Sequence, residues 1–238
     1  MRAGSAKASI RWAVEESELI GGRWSAVASR RSRTVENHGL KHYLVRTMKK
    51  ILLDDILGFS AYETVRDNFR KDIIEKKKSR RLAVGDKVSL VFENRDTVVF
   101  QIQEMLRAER TTDLDKIREE IAVYNELLPN PGELSATLFL EIEDQSHMRD
   151  DLLKFLGIDE CLSLKVGGRS LPGRFEAGRS KEDKISAVQY VRFCFDEEAR
   201  RAFIAGERAE LIIDHPNYQA RAVLASEAQQ SLAEDLVI

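Results

Sequence analysis

The sequence predicts an α+β fold: a single domain of mainly antiparallel sheet with packed helices, preceded by an irregular N-terminal arm. Three observations predict it. Apolar residues alternate at period two in several segments between residues 87 and 214, and recur at helical spacing in others. The strand-like segments follow one another across tight turns rather than alternating strictly with helices, which favours antiparallel pairing over a parallel sheet. No linker-like stretch divides the chain after Met48, and four prolines are all that punctuate it.

Residues 1–47 form the arm. They are rich in Ser, Arg, Ala and Gly, lack regular apolar periodicity and contain both tryptophans, Trp12 and Trp24. The segment has no signal-peptide apolar core, and Glu15, Glu16 and Glu18 fit a transit peptide poorly. Met48 then opens MKKILLDDILGFSAYETVRDNF, which reads as the start of an ordinary domain. The expectation is a domain over 48–238 with Met48 as its physiological start, and residues 1–47 as a disordered or non-native extension.

Within the domain, Asp54 and Asp55 are placed to cap a short helix. Ser60 with Glu63 forms a capping box for a second, over roughly 61–79. Its stripe is Tyr62, Val65, Phe69, Ile73 and Ile74. It ends in KKKSRR, Lys76 to Arg81, expected as a solvated helix end with a phosphate-binding patch as the alternative. Val88, Leu90 and Phe92 alternate with Lys87, Ser89, Val91 and Glu93 as a strand. A helix over 97–110 carries its core stripe on Val98, Val99, Ile102, Met105 and Leu106, with Asp96 as the expected N-cap. Thr112 is placed to cap the next, whose stripe runs Leu114, Ile117, Ile121, Tyr124, Leu128 before PNPG stops it.

ELSATLFLEIE (133–143) alternates cleanly and predicts a half-buried strand. A helix near 145–156 leads to a hairpin turning at Gly167–Gly168, then a strand over Ile185 to Phe195. A short helix near 197–205, a strand over 209–214, the turn HPNY and a terminal helix over about 219–236 complete the expectation.

Charge narrows the partners. Residues 1–47 hold nine Lys/Arg against four Asp/Glu, while the remainder holds 29 against 36. The body is acidic, which makes nucleic acid an unfavoured partner. No apolar run approaches the roughly 20 residues of a spanning helix, so no membrane role is expected. Cys161 and Cys194 fall on separate apolar patterns as small buried thiols, with neither disulfide nor zinc spacing, and a reducing cytoplasm fits best.

Chemistry concentrates in FENRDTVVFQIQEMLRAER (92–110). Its core stripe is complete without Phe100, Gln101, Glu104 or Arg107, so the flank that they form is either solvated or covered by a partner or by the chain itself. Together with Glu93, Arg95 and Tyr218 these residues are the candidate ligand or partner surface. Gln101 and Glu104, one turn apart, are placed to address one ligand. Arg95 at the strand-to-helix corner suits an anion. Glu104 and His215 are the candidate catalytic residues, with Asp214 placed to orient the imidazole. Glu104, Glu109 and His215 are the candidate metal ligands, Glu109 falling back on the apolar stripe where a carboxylate needs a partner. No Glu-x-x-His pair, phosphate-binding glycine loop or nucleophile elbow is present, and no cofactor is indicated.

Two segments carry a resemblance. FENRDTVVFQIQEMLRAER and YNELLPNPGELSATLFLEIED (124–144) resemble the signatures of an uncharacterised bacterial family, a domain of unknown function of about 190 residues. The likeness runs from Met48 to about Val237, through LLDDIL, ISAVQYVRF and DHPNY. The family brings no known activity, fold or catalytic residue. Its genes neighbour rubrerythrin-like and iron–sulfur reductase-like genes, which implies a redox or oxidative-stress setting by association. The expected function is a cytoplasmic accessory protein that binds a redox partner. The alternative is an enzyme or metal-binding protein with a carboxylate/histidine pocket, and a small-anion sensor stands third.

Overall fold

Two antiparallel sheets face each other. A computed structural model describes residues 50–142, 147–176, 180–181 and 184–237. The first sheet has the order β1 (Arg81–Val84), β2 (Val88–Glu93), β3 (Glu133–Leu140), β9 (Val188–Cys194), β6 (Arg174–Phe175). The second runs β11 (Tyr218–Val223), β10 (Ala209–His215), β4 (Leu162–Val166), β5 (Arg169–Pro172). A separate ribbon pairs β7 (Ser180–Lys181) with β8 (Lys184–Ile185). Every ladder is antiparallel. The inner faces share one core, with Leu90, Phe92, Leu138 and Phe193 from the first sheet against Leu164, Leu211 and Ile213 from the second. Apolar burial on this scale is what stabilises a two-layer fold.

Six α-helices lie among the described residues: α1 (Phe59–Lys78), α2 (Arg95–Glu109), α3 (Leu114–Asn125), α4 (Met148–Leu153), α5 (Glu197–Ile204) and α6 (Ser226–Ala233). The expected α+β class holds. Thr97 and Gln101 of α2 donate to Glu93 of β2, which also accepts from Thr137 of β3, on the outer face of the first sheet. The α2 stripe, Val98, Ile102, Met105 and Leu106, packs on Ile121 and Tyr124 of α3, on Leu128 beyond its end and on Ile51, forming a second core. Phe203 of α5, Leu232 of α6 and Leu236 belong to the main core, and Gln229 of α6 ties the two helices by donating to the carbonyls of Phe203 and Glu207.

Several expected boundaries shift, each for a physical reason. β3 is buried on both faces, not one: on the second face Thr137 bonds to Glu93, and Phe139 packs with Val91, Val188 and Tyr190 beside the Arg81 guanidinium. Gly58, not Ser60, is the N-cap of α1, with no side-chain cap bond. Asn94, not Asp96, caps α2: its side chain accepts from Thr97 N while the Thr97 hydroxyl accepts from Asn94 N. Asp113, not Thr112, caps α3, accepting from Asp115 N at 2.9 Å.

The helix expected over 219–236 divides into β11 and α6. His215 and Tyr218 pair across a two-residue turn, so Tyr218, Ala220 and Ala222 turn inward while Gln219, Arg221 and Val223 face out. Alanine suits either state, and the free edge of β10 selects the strand. The strand expected over 185–195 breaks into β8 and β9, and Cys161 precedes β4 rather than lying in it. Only the 148–153 part of the helix expected near 145–156 is α-helical, and residues 143–146 lie outside the described set.

Candidate functional site

The flank of α2 that its core stripe leaves over is covered by α1. Phe100 is 5% exposed, packed edge-on against Phe69 of α1 with the Lys77 ammonium 6.0 Å from its ring centre. Glu104, also buried, accepts from the Tyr62 hydroxyl at 2.7 Å and from Arg66 through Nε and Nη2 at 2.8 and 2.7 Å. The expectation of an open contact surface on this flank is therefore corrected: α1 contributes Tyr62, Arg66, Phe69, Ile73 and Lys77 at helical spacing, and this face covers α2. The KKKSRR stretch is likewise not simply a solvated end. Lys77 and Arg80 are buried, Lys76 pairs with Asp96 and Arg80 with Asp235.

The electrostatics at Glu104 favour the carboxylate. Burial alone pushes its pKa up, but hydrogen bonds from Arg66 and Tyr62 and the charges of Arg66 and Arg107 outweigh that and hold it below the usual range. Tyr62 is pushed the other way, by burial first and then by Glu104, so its phenol keeps its proton. A carboxylate that already accepts three hydrogen bonds, two from a guanidinium, is a structural anion rather than a poised base.

Glu93 is built into a different network. It is 2% exposed; Oε2 accepts from Thr97 Oγ1 at 2.5 Å and Gln101 Nε2 at 2.9 Å, and Oε1 from Thr137 Oγ1 at 2.6 Å. So Gln101 addresses Glu93, not a ligand shared with Glu104. Arg95 is buried against Asp55 at 2.6 Å, which leaves no open anion site at that corner. Arg107 is partly exposed and pairs through Nε with Glu63. Glu109 is exposed and does not lie on the packed stripe.

His215 and Tyr218 belong to the other sheet. His215 Nδ1 accepts from Asn217 N at 3.2 Å, so Nε2 carries the proton and donates to Leu156 O at 2.7 Å. The Tyr218 hydroxyl donates to Val84 O at 2.6 Å and accepts from Lys87 N at 3.1 Å. The expected pocket joining Glu93, Gln101, Glu104 and Glu109 with His215 and Tyr218 does not assemble: Glu93, Gln101 and Glu104 are bonded to partners of their own, Glu109 is exposed, and His215 and Tyr218 pair in the other sheet against Phe155. Among the described residues no group of three or more His, Cys, Asp and Glu is arranged to hold a metal ion. No helix among them is long and apolar enough to cross a membrane.

What the helices do form is an open cleft of about 190 Å³ where the N-terminal end of α1, the C-terminal end of α2 and the N-terminal end of α3 meet. Leu57, Phe59, Leu106, Leu114 and Ile117 supply its apolar wall. Leu57 and Phe59 remain 44% exposed and Leu114 54%. Gln103 fixes one side by a two-way bond with the Leu57 backbone, donating to its carbonyl and accepting from its amide. Of the residues singled out from the sequence as a contact surface, Arg107 alone lines this cleft. Leu57 and Phe59 flank the helix-breaking Gly58, and Leu114 begins its helix, so each carries an apolar side chain where the packed stripe has not yet begun. That is the signal through which the sequence could have disclosed the site.

Comparison with known proteins agrees with this architecture. The chain is similar to a crystal structure described as a novel protein of unknown function from Burkholderia pseudomallei K96243. The two share 30% identity and a TM-score of 0.75, over 79% of this chain and 100% of that one. No curated protein matches the chain. The family model described as a protein of unknown function, DUF3501, matches residues 50–236, the span that contains both signature segments. The chain belongs to this family of proteins of unknown function.

Proposed function

We propose that this is a cytoplasmic accessory protein that acts by binding a partner protein at the α1–α2–α3 cleft. One observation carries the reading: three large apolar side chains, Leu57, Phe59 and Leu114, stand about half exposed around one concave site. A contiguous apolar patch on an otherwise highly charged surface is a recognised mark of an interaction site. Buried carboxylates elsewhere are committed to structural partners, so no competing pocket draws support from them. The partner class, a rubrerythrin-like or iron–sulfur redox protein, is supported by the gene setting of the family. The acidic body disfavours nucleic acid as partner.

The test is calorimetric titration of the purified protein with a rubrerythrin-like protein and with an iron–sulfur reductase. Saturable binding to one of them is expected, weakened at least about tenfold by Leu114→Glu, which loses about 1.4 kcal/mol or more. Because Leu114 is exposed, that variant keeps its fold. No binding to either protein would overturn the redox assignment.

A further inference from the structure

We infer that the cleft recognises a short partner segment carrying a large apolar anchor with an Asp or Glu within about one helical turn of it, and not a second copy of this chain. The inference rests on the partner-binding reading and names what that partner must present. Size sets the first constraint. Leu57, Phe59 and Leu114, each about half exposed, amount to on the order of 300 Å² of apolar surface. A stable dimer buries roughly 800 Å² on each partner. The patch suits a peptide anchor rather than a folded subunit.

Volume sets the second. A cavity of about 150 Å³ accommodates a benzene ring, so the 190 Å³ here takes one aromatic or one large aliphatic side chain. Charge sets the third. Arg107 is the one charged residue among those lining the cleft. Its Nε is engaged by Glu63, while its two terminal amino groups donate to no described residue. A guanidinium edge with free donors beside an apolar hole fits a carboxylate placed next to an apolar side chain. Thr111 and Thr112 complete a neutral lip that repels neither.

Selection of a displayed library of short random peptides on the full chain, counter-selected on Leu114→Glu, tests this. The expected consensus is a Phe, Leu or Met with an Asp or Glu three or four positions away. A peptide made from it should bind the wild type, lose about tenfold in affinity to Arg107→Gln, and become insensitive to Arg107→Gln when its own acid is replaced by the amide. Failure to enrich peptides over the counter-target overturns the inference, as does a consensus lacking the acid. So does a Leu114-dependent dimer in sedimentation, which would make the second copy the occupant. Peptide failure with intact, Leu114-dependent binding of a redox protein would sink the segment and leave the partner reading. Peptide enrichment without binding of either redox protein would keep the segment and the partner reading and overturn the redox assignment alone.

Discussion

At Glu104 the chain has placed a carboxylate under a helix and kept it charged. Three hydrogen bonds reach it, from Tyr62 and twice from Arg66. Its depressed pKa is a statement about stability. A carboxylate with a folded-state pKa below its ordinary value, here 4.5, stabilises the fold above that pH, and the contribution disappears as pH falls through the depressed value. Glu133 has the same sign, since burial is outweighed by bonds from Cys194, Asn130 and Arg192. Glu104→Gln is therefore expected to cost about 2 kcal/mol at neutral pH, with the gap from wild type narrowing below pH 4.5 as wild type protonates. Thermal unfolding followed by circular dichroism from neutral pH to about pH 3 checks it. A gap that stays constant with pH would mean that Glu104 contributes shape and not charge.

Among the elements, the turn between β1 and β2 shows how one glycine can be dictated by a side chain far along the chain. Gly85 has φ +76°, and a Cβ there would lie 2.2 Å from the Tyr218 hydroxyl oxygen and 3.0 Å from Ala220 Cβ. That hydroxyl bridges Val84 O and Lys87 N, pinning the turn to β11. Gly85→Ala thus combines left-handed backbone strain with a steric clash, and is expected to cost about 3 kcal/mol. Tyr218→Phe alone loses about 1 kcal/mol of hydrogen bonding. In the double variant part of the clash is gone, so the two costs should fall short of their sum by about 1 kcal/mol. Strict additivity in urea unfolding would refute the pin. Helix and strand types were legible here because periodicity reports local geometry directly: the stripe of α2, the Gly167–Gly168 hairpin and α5 all follow from it. The strand β11 was not, because its alanines fit both periods and only pairing with β10 decides between them.

For the molecule as a whole, what the sequence withheld was which distant segments cover one another. The sequence leaves the polar flank of α2 open between solvated and covered, because nothing local shows α1 lying across it. The half-exposed Leu114 read as core because it keeps helical register with residues that are. Arg80 is the sharpest case. Within KKKSRR it looked like one more cation at a helix end, yet its partner Asp235 is 155 positions away. Arg80 also donates to the carbonyls of Phe92 at 2.9 Å and of Glu93 and Ser231 at 3.3 Å each, joining the end of β2 to the C-terminal segment. Leu236, next to Asp235, lies in the main core, so this buried pair seats the last main-core side chain among the described residues. Asp235→Ala would strand a buried guanidinium and should cost about 3–5 kcal/mol. Replacing both partners by apolar residues, Arg80→Met with Asp235→Leu, removes the stranded charge and should recover much of that loss, since a buried pair often does no better than a packed apolar contact. If urea unfolding finds the double variant as unstable as Asp235→Ala, the bonds of Arg80 to the three carbonyls, not its pairing with Asp235, are what close the fold.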